Sequence, residues 1–174
     1  MKAPERHRHE APKKVNVSLI TISSSRYSER QLKGNAKDGS GDIAERLILR
    51  SGHSVVSRAL VEDNSKMIAR ELLRSIYKTD SDAVILIGGS GLAKRDVTIE
   101  TVKPFFEKEI EGFGEILRIL SYRKIGPAAI LTRATAGTIS GKVVFCIPGS
   151  PDAVRTAVKF ILPDLPHAVH IAGS

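Results

Sequence analysis

The chain has little of what marks secreted, membrane-spanning or disulfide-stabilised proteins. Its 174 residues include no tryptophan and one cysteine, Cys146, which cannot form an internal disulfide. Cys146 lies in the apolar run at residues 143–147, where a small buried thiol is expected. No apolar run approaches the roughly 20 residues of a membrane-spanning helix, and no apolar segment follows the charged N-terminus as in a signal peptide. The sequence therefore predicts a cytoplasmic protein with one globular domain.

Aromatic residues are also few, and their distribution bears on nucleic-acid binding. The three tyrosines are scattered, and no stripe of aromatic and basic residues resembles a platform for stacking bases. The net charge of +8 invites a nucleic-acid partner, but residues 1–38 hold nine Lys and Arg against four Asp and Glu. A basic N-terminal region thus explains most of the charge. The remaining excess suits a polyanionic small molecule such as a nucleotide, so nucleic acid is not the expected partner.

Apolar runs alternate with helical patterns along the chain. Strands are predicted at residues 15–22, 53–59 and 83–87, with helices opened by the turn at residues 38–41 and over residues 65–77 between them. This order predicts right-handed crossovers and a parallel, doubly wound α/β sheet. Further helices are predicted at 99–106, 115–120 and 151–161, and extended segments at 128–138 and 143–147. Residues 23–37 are predicted to form a long loop, which in a compact domain is functional or disordered.

The two ends of the chain carry no periodic pattern. Residues 1–14 are predicted to be a mobile basic tail, and plain disorder is favoured there over metal binding by His7 and His9. Residues 15–162 form the single predicted domain. Residues 163–174 are predicted to be a C-terminal tail and receive no function.

A glycine loop, defined as Gly88, Gly89, Ser90 and Gly91, follows the apolar run at residues 83–87. Its glycines let the backbone turn sharply and approach a ligand, and free N–H groups in such a turn bind anions. An ordinary connection with an ion pair between Arg95 and Asp96 fits the local pattern equally well. Ligands of parallel sheets bind outside the carboxyl ends of the strands. The loop after the first strand, Asp63 and the glycine loop are therefore expected to open on one edge.

Several polar residues have both a structural and a functional interpretation. Asp38 or Ser40 is expected to cap the helix that follows them, and Asp63 or Asn64 to cap the next. Thr98 is expected to cap the helix at residues 99–106. Ser150 either holds a phosphate or caps the helix that begins at Pro151.

Several motifs in the same order resemble the molybdenum cofactor biosynthesis proteins MogA and MoaB. The matching stretches are Thr21-Ile22-Ser23, Asp38-Gly39-Ser40-Gly41, Gly88-Gly89-Ser90-Gly91, Arg95-Asp96-Val97-Thr98, Glu111-Gly112-Phe113-Gly114-Glu115 and Pro148-Gly149-Ser150-Pro151. The resemblance covers about residues 15 to 162. The regions around Phe113 and residues 133–137 resemble the MoaB branch most.

This resemblance implies a three-layer α/β/α sandwich that assembles as a trimer or hexamer. It implies Mg²⁺-dependent transfer of AMP from ATP to the terminal phosphate of molybdopterin, giving adenylyl-molybdopterin and pyrophosphate. The alternative is a non-catalytic molybdopterin-binding or scaffold protein of the same pathway. The step precedes metal insertion, so it fits a molybdenum or a tungsten pathway and makes the downstream metal-insertion protein a candidate partner.

The resemblance also assigns residues to roles. Asp63 and Asp96 match the acidic positions of the family, which would be catalytic and would bind Mg²⁺ or orient the pterin phosphate. The residues expected to hold the nucleotide phosphates are Gly88, Gly89, Ser90, Gly91 and Arg95, although pairing of Arg95 with a neighbouring carboxylate is slightly favoured. The residues expected on the pterin side are Asp38, Ser40, Gly41, Pro148, Gly149 and Ser150.

Overall fold

The computed structural model describes residues 11–174. Most of the predicted basic tail, including His7 and His9, lies outside the described residues. No helix within residues 11–174 is long and apolar enough to cross a membrane.

One sheet of six strands organises the described residues. The strands are β1 (Asn16–Ile22), β2 (Ser54–Val61), β3 (Ala83–Ile87), β4 (Lys108–Glu109), β5 (Thr135–Ile139) and β6 (Lys142–Ile147), in the spatial order β2-β1-β3-β6-β5-β4. The first four strands in that order are parallel, whereas β5 and β4 add in antiparallel fashion at one edge. The predicted mostly parallel, doubly wound sheet is confirmed.

Helices cover both faces of the sheet. Those of residues 11–174 are α1 (Ser24–Lys33), α2 (Gly39–Arg50), α3 (Ser65–Tyr77), α4 (Thr98–Val102), α5 (Glu111–Ile125), α6 (Pro151–Ile161) and α7 (Leu165–Ala172), with 3₁₀ turns at Lys103–Phe105, Gly126–Leu131 and Leu162–Asp164. Val17 and Leu19 of β1 pack with α2, α5 and α6, while Ile20 and Ile22 pack with α3 and α4. Alternate side chains of one strand thus feed two apolar cores, as a three-layer sandwich requires.

The central strands are buried on both faces. All five residues of β3 are inaccessible to solvent, which explains why this strand is a continuous apolar run without alternation. Cys146 of β6 is fully buried beside it, and burial raises the pKa of its thiol, so the group is neutral and inert. The expectation of a buried structural thiol is confirmed.

Helix α1 replaces the predicted loop at residues 23–37. Ser23 caps the helix by accepting from the Arg26 N–H, and Gly34 ends it with a left-handed φ of 75°. None of the helical side chains is buried, so the segment has no apolar stripe from which a helix could be predicted.

Three other predictions differ from the structure. Thr98 does not cap α4; it is buried as the first helical residue and its hydroxyl donates to the Gly88 carbonyl at 2.9 Å. Residues 128–131 form part of a 3₁₀ turn opened by Gly126 and Pro127 rather than an extended segment. The segment predicted as a C-terminal tail forms α7, whose Leu165 is fully buried in the core.

Candidate functional site

A cavity of about 800 Å³ opens at the carboxyl edge of the parallel strands. Its walls come from the residues that follow β1, β2, β3 and β6, together with the last turns of α5 and the first turns of α6. These segments are far apart in sequence and converge because the carboxyl ends of parallel strands share one edge. The predicted common edge is therefore observed.

The structure gathers most of the sequence-predicted residues around this cavity. The lining includes Asp63, Gly88, Gly89, Ser90, Gly91, Arg95, Asp96, Pro148, Gly149 and Ser150. It does not include Asp38, Ser40 or Gly41.

Hydrogen bonds fix the backbone of the glycine loop, while three of its N–H groups are left without a hydrogen-bond acceptor within residues 11–174. Gly88 and Gly89 have φ angles of 102° and 61°, and the Thr98 N–H and hydroxyl bind their carbonyls, at 2.9 Å each. A Cβ on Gly89 would collide with the Thr98 hydroxyl oxygen, so glycine is required. The N–H groups of Gly89, Ser90 and Gly91 donate to no other group of residues 11–174. Unpaired N–H groups in a fixed turn form an anion-binding concavity.

Asp63 is fixed beside this loop by Ser24. The Ser24 N–H and hydroxyl both donate to Asp63 Oδ2 at 2.8 Å, and the Asp63 N–H donates back to Ser24 Oγ at 3.2 Å. The other oxygen, Oδ1, lies against the loop, since a Cβ on Gly89 would be 2.9 Å from it. Asn64 caps α3, accepting from the Lys66 and Met67 N–H groups at 3.0 and 3.2 Å. Asp63 therefore does not cap α3.

Asp96 closes the far end of the glycine loop. Its Oδ2 accepts from the Ala93 N–H at 2.9 Å, while its own N–H donates to the Ala93 carbonyl at the same distance. The carboxylate lies close to Gly91, where a Cβ would be 2.6 Å from Oδ2. Within residues 11–174, Oδ1 accepts no hydrogen bond.

Two carboxylates, those of Asp63 and Asp96, are candidate metal ligands on this cavity. No group of three or more His, Cys, Asp or Glu residues able to hold a metal occurs in the described part of the chain. Mg²⁺ typically binds through one or two carboxylates and completes its shell with substrate phosphates and water. Asp63 and Asp96, on one cavity beside an anion-binding loop, match that requirement.

Four cationic side chains line the same cavity: Arg26, Arg95, Lys124 and Arg133. Arg95 forms no ion pair with any carboxylate of residues 11–174, contrary to the pairing that the sequence favoured. Its guanidinium is exposed at the cavity rim. Lys124 donates to the Thr156 hydroxyl at 2.8 Å across the α5–α6 wall. The cavity thus presents several positive charges to an anion.

Arg133 ties the glycine loop to α4. Its Nη1 donates to the Gly91 carbonyl at 2.8 Å, and its Nη2 pairs with Glu100. Burial raises the pKa of the Glu100 carboxyl, but the hydrogen bond and charge of Arg133 outweigh this and lower the pKa below its usual value. The ion pair between Arg133 and Glu100, which we call the Arg133 clamp, therefore remains charged at neutral pH.

Sequence reasoning missed Ser24, Arg26, Lys124 and Arg133 as lining residues. Ser24 and Arg26 lie in the segment predicted to be a loop, although a serine before them and Gly34 after them were available as helix start and stop signals. Lys124 belongs to no local motif, and Arg133 begins a stretch that was matched to the MoaB branch without a role for its side chain. Only the fold brings both residues to the cavity.

The turn at residues 38–41 is occupied with structural contacts. Asp38 accepts from the Thr21 hydroxyl at 2.7 Å, from the Gly41 N–H at 3.0 Å and from Arg58 at 3.1 Å. It is therefore the cap of α2. Ser40 is buried and donates to the Gly149 carbonyl at 2.7 Å. Through Ser40 this turn contacts Gly149, which lines the cavity. A direct role of the turn in pterin binding stays a prediction.

Ser150 has the capping role that the sequence offered for it. It caps α6 by accepting from the Ala153 N–H at 3.4 Å. It also lines the cavity, and phosphate binding by its hydroxyl stays a prediction.

A family model described as "Probable molybdopterin binding domain" matches residues 18–167. The chain belongs to this molybdopterin-binding-domain family. Among similar relatives, the Bacillus cereus "Molybdenum cofactor biosynthesis protein B" is 45% identical over 163 residues, which are 92% of each chain. The Pyrococcus furiosus "Molybdopterin adenylyltransferase" is 37% identical over 167 residues, covering 94% of each.

The fold of this family is also found in a solved structure. The crystal structure of "tungsten cofactor synthesizing protein MoaB" from Pyrococcus furiosus has a TM-score of 0.80 and 35% identity, covering 94% of this chain and 100% of that one. The resemblance to MoaB and MogA proteins and the predicted α/β/α sandwich are thereby confirmed.

Proposed function

We propose that this chain is a molybdopterin adenylyltransferase that acts in molybdenum or tungsten cofactor biosynthesis. It transfers AMP from ATP to the terminal phosphate of molybdopterin and releases pyrophosphate, with Mg²⁺ as the metal. Family membership and the names of the relatives support the pathway. The observation that carries the reaction is the convergence of Asp63, Asp96 and the glycine loop on one cavity.

The glycine loop and Arg95 bind the phosphates of ATP. Phosphoryl and nucleotidyl transfer need positioning and charge stabilisation more than covalent help. The N–H groups of the loop are held in place before any ligand arrives, because the adjoining carbonyls are bonded to Thr98. Such donors stabilise developing charge without reorganising.

Asp63 and Asp96 are the residues that would hold Mg²⁺. When bound, Mg²⁺ would supply positive charge that offsets the charge of the phosphates. Each aspartate has its Oδ2 engaged by the protein, so its orientation is set by the fold. The fully formed shell requires the phosphates of the substrate, which makes metal binding dependent on ATP.

Molybdopterin occupies the part of the cavity beside Pro148, Gly149 and Ser150. Its terminal phosphate lies between the start of α6 and the glycine loop, where it reaches the ATP α-phosphorus. Lys124 and Arg26 add positive charge for this second anion. The cavity volume of about 800 Å³ lies within the range of about 300–1,000 Å³ usual for ligand sites.

The chain also assembles as a trimer or hexamer in this proposal, as the family resemblance implies. Three large apolar side chains of α5, Ile116, Ile119 and Tyr122, are 44%, 54% and 60% exposed. A contiguous apolar helix face of this kind is typical of a protein interface. Multi-angle light scattering of the purified protein tests it, and a monomer at all concentrations would contradict it.

The reaction is tested with purified protein, ATP, Mg²⁺ and molybdopterin, by quantifying adenylyl-molybdopterin and pyrophosphate. We expect Asp63→Asn and Asp96→Asn each to lower turnover by at least about 100-fold, since each removes a charged ligand of the Mg²⁺ that offsets the phosphate charge. The matched control is Asp80→Asn, which changes an exposed aspartate away from the cavity and leaves turnover unchanged.

Two results would contradict the proposal. Wild-type turnover in both cavity variants would remove the assigned roles of Asp63 and Asp96. A wild-type protein that binds molybdopterin without forming the adenylyl product would instead be the non-catalytic binding or scaffold protein.

A further inference from the structure

We propose that Ser24 is a positioning residue that aims Asp63 at the nucleotide phosphates. The inference deepens the proposed function and rests on it. Ser24 is the first residue of α1, and its backbone N–H and its hydroxyl both donate to the same carboxylate oxygen, Oδ2 of Asp63, at 2.8 Å. The Asp63 N–H returns a hydrogen bond to Ser24 Oγ at 3.2 Å.

This arrangement separates the two oxygens of the carboxylate. The two oxygens belong to one planar carboxylate on a short side chain. Holding Oδ2 in place therefore also restricts where Oδ1 points. Oδ1 lies against Gly89, at a place where a Cβ on that residue would approach it to 2.9 Å. Ser24 therefore holds one oxygen while the absent side chain of Gly89 leaves room for the other.

The Ser24 side chain is separable from the stability of the core. No side chain of α1 is buried, and the helix start has its own anchors. Ser23 donates from its N–H to the Val61 carbonyl at 2.9 Å and caps the helix with its hydroxyl. Removing the Ser24 hydroxyl leaves these contacts and the Ser24 backbone N–H in place, so the fold is expected to survive.

Positioning, rather than charge, is the role of Ser24. Its hydroxyl already donates to Oδ2 and so carries no free proton toward the cavity. Partners that orient a ligating carboxylate typically affect metal affinity or activity by about 10–100-fold when removed. For removal of the Ser24 hydroxyl we expect an effect in the same range. It should appear as a higher Mg²⁺ concentration needed for ATP binding and for turnover.

The test compares Ser24→Ala, Ser24→Thr and the control Ser28→Ala. Ser28 is an exposed serine four residues along the same helix. We expect Ser24→Ala to raise the half-saturating Mg²⁺ concentration for turnover, and to weaken Mg²⁺-dependent ATP binding in calorimetry, by about tenfold or more. Ser24→Thr retains the hydroxyl and should restore most of both quantities, while Ser28→Ala matches the wild type.

A purely structural role predicts a different pattern. In that case Ser24→Ala would lower the melting temperature and the active fraction but keep the wild-type Mg²⁺ requirement, and this result would overturn the inference. A wild-type Mg²⁺ requirement with unaltered stability would overturn it as well.

A crystal structure of Ser24→Ala separates this inference from the proposed reaction. We expect the Asp63 carboxylate to rotate so that Oδ1 leaves its place beside Gly89. An Asp63 side chain unmoved from its wild-type position would overturn the inference, whatever the activity. Absence of adenylyl transfer in the wild type would overturn the proposed function alone, because the Asp63 geometry is compared without turnover.

Discussion

The short turns at residues 38–41 and 88–91 both combine glycine with a hydroxyl side chain but differ in how their polar atoms are paired. In the first, both carboxylate oxygens of Asp38 and the hydroxyl of Ser40 are bonded within the protein. In the second, the N–H groups of Gly89, Ser90 and Gly91 donate to nothing within residues 11–174 and face a cavity. The residue composition of a turn does not show whether it is structural or binds a ligand. What distinguishes these two turns is whether their polar atoms are already paired within the protein.

The largest expected effect comes from adding one methyl group to the second turn. Gly89→Ala would place a Cβ against the Thr98 hydroxyl and 2.9 Å from Asp63 Oδ1, at a φ of 61°. We expect turnover to fall by about 100-fold or more, because small displacements of reacting groups have effects of that size. Turnover and melting temperature are measured together.

Gly39→Ala is the matched change in the first turn. A Cβ there meets nothing within 4 Å, and the residue begins α2 without a positive φ. We expect unchanged turnover and a stability equal to or slightly above the wild type. Equal losses in the two variants would contradict the division between the turns.

Asp38→Ala tests the structural turn through stability. The change removes the cap of α2, strips the Thr21 hydroxyl of its acceptor and deletes one partner of Arg58. Arg58 keeps Asp42 and Glu45. We expect the free energy of unfolding in urea to fall by about 2 kcal/mol. Unchanged stability with weakened molybdopterin binding would instead support the pterin-side role assigned to Asp38 by resemblance.

Arg133→Gln loosens the ligand-binding turn without touching its glycines. It removes the charged donor to the Gly91 carbonyl and the pairing with Glu100. We expect ATP affinity, measured by calorimetry, to fall by about tenfold, since a charge-assisted hydrogen bond contributes about 1.5–3 kcal/mol. Arg123→Gln, an exposed arginine on α5, is the control. Equal affinities in the two variants would mean that the clamp is dispensable.

The smallest effect concerns His53, at the edge of the sheet opposite the cavity. The Val15 N–H donates to His53 Nδ1 at 3.3 Å, and this contact needs a neutral ring. Burial lowers the pKa of His53, partly offset by a hydrogen bond with the Leu162 backbone. The folded pKa therefore lies below the ordinary value of 6.5. The stability contributed is present above that value and is lost as the pH falls through the folded pKa.

Urea unfolding of the wild type and His53→Gln at about pH 8 and about pH 5 measures this dependence. We expect the wild type to lose more stability on acidification than the variant does. Parallel losses in both proteins would show that His53 does not couple protonation to folding.

The sequence predicted the elements whose apolar residues are regularly spaced. β3 is a continuous apolar run, and α3 and α6 each bury one face, so their patterns follow from burial. Helix α1 escaped prediction because it buries no side chain. Local caps hold it, together with the backbone N–H of Ser24, which donates to Asp63, 39 positions along the chain.

The candidate site was predicted as far as its residues belong to local motifs. Asp63, Asp96 and the glycine loop follow strands, and the topology rule brought them to one edge. Lys124 and Arg133 arrive from α5 and the segment after it, and no sequence spacing specifies where their side chains point. Asp38 follows the same edge of the sheet but does not line the cavity, and its pterin-side role stays a prediction. A residue adjacent to the correct edge can still have its oxygens fully engaged elsewhere.

The central claim is that the glycine loop and the two aspartates form the nucleotide half of an adenylyl-transfer site. A crystal structure with Mg²⁺ and a non-hydrolysable ATP analogue tests it most directly. We predict phosphates bound by the N–H groups of Gly89, Ser90 and Gly91, with Asp63 and Asp96 on a shared metal ion. Phosphates bound at the turn of residues 38–41, or away from both aspartates, would contradict the account.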